Sequence, residues 1–331
     1  MVRWQSGDVE DCKSSYAGSI PARTSNFYLW GYAMPQDAQP LDDRLISAES
    51  ETRIRQHLVL VALGKRPADR ALRVGRLFDV HTRTWRDDQE IVIYGHRIAY
   101  VGPAGSYPGT VAERFHEPDL AAVPGFGEVH KHIESSHLTP EWEAALVMPR
   151  GNTWTCEASH EFSNVNGPKN LEFWLEARKQ GSPLKIFPLP GSAVPPTAYE
   201  WGGGWFGYEE QRDFMMTSPM VPGLDEVMDW PAVWNPDSPS YERLWGMIRA
   251  TFERRGVVEG HGAGLRDIPV INAFAAAGLA SDHEAWTPEE VWEKAVARNF
   301  HGIATAFDGC GDPLSAGKRS GGLVADCFYH R

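Results

Sequence analysis

The spacing of hydrophobic positions changes twice along the chain. Between Leu41 and Leu63, apolar residues recur with helical spacing among charges, which predicts one or two helices in a lead-in over residues 34–66. Residues 67–124 carry short β-rich runs separated by turn residues, and they predict a small sheet domain. Its strand candidates are Ala71–His81, Glu90–Gly102 and Leu120–Gly127.

From residue 125 to the end at residue 331, strand candidates alternate with helical segments. Alternation of this kind is typical of β/α units around a parallel sheet, so the predicted fold class is α/β. The last predicted helix has Thr287 as its N-cap, Pro288 at its first position and Glu290 at its third. The clearest helical runs are Pro140–Val147, Asn170–Gln180, Tyr241–Gly256 and Thr287–Asn299.

Residues 1–33 are polar and have no sustained period, which predicts a disordered tail outside the folded domains. The run from Asp11 to Asn26 resembles a translated transfer-RNA gene, and this favours Met34 as the natural start. An ordinary disordered extension is the alternative.

Composition narrows the class of ligand. The formal net charge of −12 argues against a surface that neutralises nucleic-acid phosphates, and it favours a small-molecule substrate. No run of eighteen apolar residues predicts a membrane span. The four cysteines are widely spaced without a CxxC pair, so a reducing cytoplasm is the predicted location.

The strongest chemical signal is the pair His130 and His132, directly after a strand-like run. Side chains two positions apart on a strand share a face, so both imidazoles can grip one metal ion. An isolated pair of this kind is equally well explained by two hydrogen-bonded histidines. Further ligand-type residues, however, follow later strand candidates at their C-terminal ends, where barrel enzymes place their sites. They are His160, Glu161, Glu226, His261, Asp282, His283 and Glu284.

These stretches resemble the adenine deaminases of the amidohydrolase superfamily from about residue 45 to residue 295. The resemblance is carried by HIESS followed by LTP in residues 132–140, and by HE-x-x-NV in residues 160–165. The chain also resembles the family in residues 61–70, 75–82, 191–197, 223–228, 259–265 and 277–284. The resemblance implies a (β/α)8 TIM-type barrel with a small β-sheet domain on its N-terminal side. Because relatives continue beyond residue 331, the barrel is expected to be incomplete after about strand eight.

The resemblance also implies a binuclear divalent centre of iron, manganese or zinc. His130 and His132 would bind the first metal, His261 and His283 the second, and Glu226 would bridge them. Relatives often bridge with a carboxylated lysine, but residues 221–229 contain no lysine. A surface position for Glu226 after a turn is the alternative.

Other residues are expected to act on substrate or to support the ligands. Glu161 is a candidate catalytic residue that contacts substrate or orients a ligand, and Asp282 and Glu284 are expected to face away from His283 by strand alternation. The supporting set is His160, Glu134, Asp282, Glu284 and Ser192.

The family's strand-eight aspartate, which exchanges a proton with the attacking water, has no verbatim match. Asp326, at the end of the strand-like run 322–326, is the nearest candidate. Asp308 is a weaker rival, and a surface aspartate is the alternative interpretation of Asp326.

The resemblance implies a hydrolase acting on C–N bonds that converts adenine and water to hypoxanthine and ammonia. Two alternatives stay open: a related substrate such as another cyclic amide, amidine or acylated amine, or a truncated homologue without activity. The predicted partner is a purine base, with no nucleic acid or membrane partner and with a homo-oligomer as an option. An apolar barrel surface left by the truncation would lower stability or be covered by a partner.

Overall fold

A computed structural model describes residues 48–197, 199–200, 202–218, 220–296 and 302–303. The chain separates into two compact units, Met1–Pro124 and Gly125–Arg331. Within the described residues, no helix combines the length and the apolar character needed to cross a membrane. The predicted tail over residues 1–33 and the two aspartates Asp308 and Asp326 lie outside the described residues.

The described part of the first unit is one helix and a four-stranded sheet. Its elements are α1 (Ala48–Ala62), β1 (Ala68–Asp79), β2 (Thr84–Tyr94), β3 (Arg97–Pro103) and β4 (Val111–Ala122). The strand order is β3-β2-β1-β4, in which β4 runs parallel to β1 and the other pairs are antiparallel. Its core joins Val61 of α1 to residues of the sheet such as Ala71 and Val92.

The sheet was predicted, but its strand boundaries were partly wrong. The run Glu90–Gly102 is the end of β2 and most of β3, because Gly95 takes a φ of +58° and turns the chain between them. Leu120–Gly127 likewise spans the end of β4 and the beginning of the next strand. Most of β4 went unpredicted because its positions before Ala122 are exposed or half-buried and many are charged, so the strand has little apolar signal.

The second unit is built on short parallel strands. They are β5 (Phe126–Lys131), β6 (Asn152–Glu157), β7 (Lys185–Pro188), β8 (Gly223–Val227), β9 (Val257–Gly260), β10 (Ser281–Asp282) and β11 (Gly302–Ile303). Every residue of β8 is buried, as expected for a strand covered on both faces.

Helices follow the strands of this unit in sequence. They are α2 (Pro140–Val147), α3 (His160–Asn166), α4 (Lys169–Lys179), α5 (Tyr208–Thr217), α6 (Pro231–Trp234), α7 (Tyr241–Glu253), α8 (Ile268–Ala276) and α9 (Pro288–Val296). The four predicted helical runs are confirmed as α2, α4, α7 and α9. The predicted cap of α9 is confirmed too, since Thr287 Oγ1 accepts a hydrogen bond from the backbone N–H of Glu290 at 3.2 Å.

The parallel strands neighbour one another in chain order. The pairs β5–β6, β6–β7, β8–β9 and β10–β11 are parallel. Two backbone hydrogen bonds join the pieces: Asp225 donates to the carbonyl of Pro190 at 3.0 Å, and Ala280 donates to Val258 at 2.8 Å. Consecutive parallel strands joined by helices confirm the α/β class, and they place the carboxyl ends of the strands along one edge.

Helix packing holds this arrangement. On α7, the residues Leu244, Met247, Ile248 and Thr251 are buried at a spacing of three or four, which forms one apolar stripe. The stripe packs in a core with Leu224 of β8, among other residues. A smaller cluster under β5 and β7 contains Ile133, Ala144, Trp174, Leu184 and Ile186.

Candidate metal centre

The residues predicted as ligands converge at the carboxyl ends of the parallel strands. His130 lies near the end of β5, His132 directly after it, and Glu226 near the end of β8. His261 and His283 are the first residues after β9 and β10. Each is therefore fixed by backbone that the sheet orders, while its side chain reaches beyond the strand end.

One carboxylate oxygen of Glu226 faces the β5 histidines. Glu226 Oε1 lies 3.8 Å from His130 Nε2 and 3.5 Å from His132 Nε2, and the two Nε2 atoms are 3.1 Å apart. His160, at the first position of α3, also approaches this oxygen, with its Nδ1 at 3.5 Å. Three imidazoles thus surround one oxygen.

The other oxygen of Glu226 faces the remaining two histidines. Glu226 Oε2 lies 2.5 Å from His261 Nδ1 and 2.9 Å from His283 Nε2. The ring of His283 stacks on that of His130, with centroids 3.7 Å apart and an angle of 16° between the planes. Glu226 therefore stands between two sets of imidazoles.

Two buried carboxylates that were not singled out in the sequence also belong to this cluster. Asp225 Oδ2 lies 3.1 Å from His160 Nδ1, and Glu259 Oε2 lies 3.0 Å from His130 Nδ1. Both directly precede or lie within two positions of a predicted ligand at a strand end, and that proximity was the available signal.

An irregularity in β8 explains how two adjacent carboxylates reach one cluster. On a regular strand Asp225 and Glu226 would point to opposite faces. The pairing of β8 with β9 shifts register between Leu224 and Val227, and such bulges re-aim side chains. A similar shift between Glu128 and Lys131 in the β5–β6 pairing precedes His132.

Two glutamates at the beginning of α3, Glu161 in the helix and Glu134 beside it, make different contacts. Glu161 Oε2 lies 3.4 Å from His132 Nδ1, and its Oε1 accepts a hydrogen bond from Ser135 Oγ at 2.6 Å. Glu134 accepts from the backbone N–H groups of Glu161 and Phe162 at 2.9 and 3.2 Å, so it satisfies donors at the helix N-terminus. The geometry places Glu161 against a predicted ligand, and Glu134 behind it.

The remaining predicted residues lie around the cluster. The hydroxyl of Ser192 donates to the backbone carbonyl of Glu226. Asp282 is buried and accepts from the backbone N–H of Gly262 at 2.7 Å. Glu284 Oε1 lies 3.8 Å from His283 Nε2, so the expectation that it faces away is wrong. The physical reason is that β10 ends at Asp282, and strand alternation does not extend to Glu284.

The histidines of the site differ in the direction in which their pKa values are shifted. Burial, reinforced by the neighbouring His283, lowers the pKa of His130 to about 2, so this imidazole is neutral. Burial also disfavours charge on His132, but hydrogen bonds to Glu161 and Glu226 outweigh it and raise its pKa to about 11. Hydrogen bonds from His132, His261 and His283 hold the pKa of Glu226 well below its usual range despite burial.

Two neighbouring carboxyl groups, Glu259 and Glu134, have raised pKa values, in contrast to the lowered pKa of Glu226. Burial, together with Asp225 and Glu226, raises the pKa of Glu259 well above its usual value. Burial and the neighbouring Glu161 raise the pKa of Glu134 to about 9. Glu259 lies close to Asp225 and Glu226, and Glu134 lies close to Glu161, so a cation bound nearby would relieve the repulsion within each group.

The donor set fits divalent cations. Ligand atoms about 2.0–2.2 Å from one shared ion lie roughly 3–3.5 Å apart, close to most of the separations measured around Glu226. Several sets of three side chains are close enough together to hold one ion. They include His130 with Glu226 and His283, His132 with His160 and Glu226, and His261 with His283 and Glu284. In the part of the chain that the structure describes, every recorded ion-pair contact of Asp225, Glu226 and Glu259 is with a histidine.

Fold and cluster together define an α/β protein with a candidate metal centre at the carboxyl ends of its strands. The chain is 80% identical over 253 residues to adenine deaminase 2 of Bradyrhizobium diazoefficiens, covering 76% of this chain and 40% of that protein. It is 36% identical over 234 residues to the adenine deaminase of Halalkalibacterium halodurans, covering 70% and 38%. Over these residues the chain is homologous to the adenine deaminases, and the resemblance seen in the sequence is confirmed.

The chain spans about 40% of the length of these curated relatives. No protein-family model matches it. Among solved structures, it is similar to an N-acyl-D-glutamate deacylase from Bordetella bronchiseptica complexed with zinc, with a TM-score of 0.48, 17% identity, and coverage of 73% and 58% of the two chains. A triazine hydrolase from Arthobacter aurescens gives a TM-score of 0.48 at 14% identity, with 72% and 65% covered. Scores below 0.5 do not define the fold further.

Proposed function

We propose that this chain carries the catalytic centre of a hydrolytic deaminase that converts adenine and water to hypoxanthine and ammonia. One observation carries the proposal: the two oxygens of Glu226 face different sets of imidazoles at the carboxyl ends of the strands. The names of the relatives, which match this region at up to 80% identity, supply the substrate.

The proposed centre is binuclear and takes iron, manganese or zinc. His130 and His132 would hold one ion, His261 and His283 the other, with Glu226 between them. When bound, divalent cations supply Lewis acidity, which lowers the pKa of a coordinated water from near 15.7 toward about 7. Neutral imidazoles and an ionised carboxylate are the forms that bind such ions. His130 and Glu226 are in these forms, whereas His132, whose pKa is raised to about 11, would release a proton on binding.

The chain's own residues have to place the substrate and move a proton. The reaction forms a C–O bond at the ring carbon and breaks its C–NH2 bond, so a proton must reach the departing nitrogen. We assign that transfer to Asp326. Glu161, 3.4 Å from His132 Nδ1, orients this ligand, and Ser192 fixes the backbone of Glu226.

The barrel belongs to the same proposal. The described strands pair in parallel and in chain order as β5–β6–β7, β8–β9 and β10–β11, which supports a (β/α)8 barrel. Asp326 itself lies outside the described residues.

The test is conversion of adenine by the purified full chain after loading with Fe²⁺, Mn²⁺ or Zn²⁺. Hypoxanthine is measured by chromatography and ammonia by a coupled assay, and both should appear in equal amounts. His130→Ala should abolish conversion, whereas the exposed His96→Ala in the first unit should not change it. Metal-loaded protein that releases neither product from adenine would overturn the substrate assignment, and a panel of cyclic amides and amidines would then identify another one.

A further inference from the structure

A fully buried lysine lies next to the proposed centre without belonging to it. The side chain of Lys294, on α9, is 1% exposed, and its partners Asp282 and Glu290 are 2% and 1% exposed. Its ammonium lies 2.6 Å from Asp282 Oδ2 and 2.8 Å from Glu290 Oε1. A charge is buried this completely only when its hydrogen-bonding partners are all present.

The third contact of the ammonium is with backbone. Lys294 Nζ donates to the carbonyl of Gly262 at 2.6 Å, while the N–H of the same glycine donates to Asp282 Oδ1 at 2.7 Å. Both polar groups of the Gly262 backbone are therefore bound by this pair of side chains. Gly262 directly follows His261, and Asp282 directly precedes His283.

Lys294 and Asp282, together with the backbone of Gly262, thus link the two strand ends that carry His261 and His283. Asp282 Oδ1 also lies within 3.4 Å of the backbone N–H of Glu284, on the far side of His283. Glu290 Oε2 accepts from the backbone N–H of Trp286 at 3.1 Å, which anchors the chain that follows. The backbone on both sides of His283 is held from α9.

The Lys294–Asp282 pair packs directly against the backbone of Gly262. A Cβ at this position would lie 2.9 Å from Asp282 Oδ1 and 3.2 Å from Lys294 Nζ. An added methyl group would have to displace the Lys294–Asp282 pair or the backbone beside His261. The contact between strand ends therefore depends on a glycine as well as on the charges.

We propose that Lys294 is a positioning residue: through Asp282 and Gly262 it sets the separation of His261 and His283, and so determines occupancy of the metal site that these two histidines form. The inference rests on the proposed binuclear centre. The ammonium of Lys294 bonds Asp282, Glu290 and the carbonyl of Gly262, and these are not among the proposed metal ligands. Its effect is expected mainly on the second site, because in the described part of the chain the hydrogen bonds of Lys294, Asp282 and Glu290 do not reach His130 or His132.

The experiment measures zinc binding by equilibrium dialysis with elemental analysis, and the visible spectrum of the Co²⁺-loaded protein. For Lys294→Met we expect one of two dissociation constants to rise about 10- to 100-fold, the range seen when groups that orient metal ligands are removed. The Co²⁺ spectrum should change at the same site. Gly262→Ala, which leaves all charges in place, should weaken the same site, and it decides the matter if Lys294→Met does not fold.

The matched control is Glu289→Gln on the same helix, an exposed carboxylate in the first turn of α9 that removes a charge and leaves the partners of Lys294 in place. It should bind zinc within about threefold of the unchanged protein. A lysine that only stabilises the fold would lower the unfolding temperature of metal-free Lys294→Met and leave both dissociation constants unchanged, and this result overturns the inference. An equal loss of zinc binding in Glu289→Gln also overturns the inference, because a change in the charge of α9 would then explain the effect of Lys294→Met. If the unchanged protein binds fewer than two ions, the proposed binuclear centre is wrong. If it binds both ions but does not deaminate adenine, only the proposed substrate is wrong.

Discussion

Glu226 is the residue on which both halves of the cluster depend. Its carboxylate is almost completely buried, yet its pKa is depressed because three imidazoles hydrogen-bond to it. An amide has the same shape, but it carries no charge and offers a single oxygen. With glutamine, one of the two sets of imidazoles would face an NH2 group and lose its shared ligand.

Glu226→Gln is therefore expected to lose at least one of two bound ions. The measurement is the metal-to-protein ratio after dialysis against metal-free buffer. Glu253→Gln on the exposed end of α7, where Glu253 accepts a hydrogen bond from Tyr208, serves as the control and should keep the full ratio. Two ions retained by Glu226→Gln would show that Glu226 is not the bridge.

At the scale of elements, α7 holds the segment that follows β7. The guanidinium of Arg243 donates to four carbonyls of this segment at 2.9–3.3 Å, those of Ser192, Val194, Pro195 and Phe206. The same segment contains the hydroxyl that fixes the backbone of Glu226. One side chain thus connects helix, segment and cluster.

Arg243→Met should release this segment. Buried carbonyls left without a donor cost on the order of 1–3 kcal/mol, so the segment should open more often than in the unchanged protein. Hydrogen exchange of peptides covering residues 192–206 should become at least several-fold faster. The control is Arg249→Met on the same helix, whose side chain is 65% exposed, and its exchange in this segment should be unchanged. Equal acceleration in both variants would mean that α7 itself, and not Arg243, was disturbed.

The sequence predicted elements with a strong local signal and missed those set by tertiary contacts. Helix α9 was predicted with its cap, because Thr287, Pro288 and Glu290 act within one turn. The functions of two of its residues were not predictable in this way. Glu290 and Lys294 have the spacing of an exposed ion pair on a helix surface, but the structure buries both.

The candidate site shows the same division. His130 and His132 were predicted from strand alternation, a local property. Asp225 was missed because a regular strand would turn it away from Glu226, and the register shift in β8 depends on pairing with β9. Short helices such as α3 were missed for a related reason, since tertiary contacts rather than propensity stabilise them.

At the scale of the whole molecule, the imidazole–carboxylate cluster lowers the stability of the folded state when no cation is bound. The chain carries a formal net charge of −12, and several carboxylates are concentrated among buried imidazoles. Burial and mutual repulsion raise the pKa of Asp225 and of Glu259 in the folded protein. Cations that bind the folded state alone would relieve this repulsion and shift the folding equilibrium toward the native state.

Metal loading should accordingly raise the unfolding temperature. At an ion concentration 100 times the dissociation constant, one site stabilises the native state by about 2.7 kcal/mol, which corresponds to roughly 5–10 °C for a unit of this size. Scanning calorimetry with and without zinc measures the shift, and a chelator should reverse it. Since Glu226→Gln removes the shared ligand, its shift should be smaller by at least half, whereas Glu253→Gln should keep all of it. An unfolding temperature independent of zinc in the unchanged protein would contradict a metal centre built into this fold, because binding to the native state alone has to stabilise it.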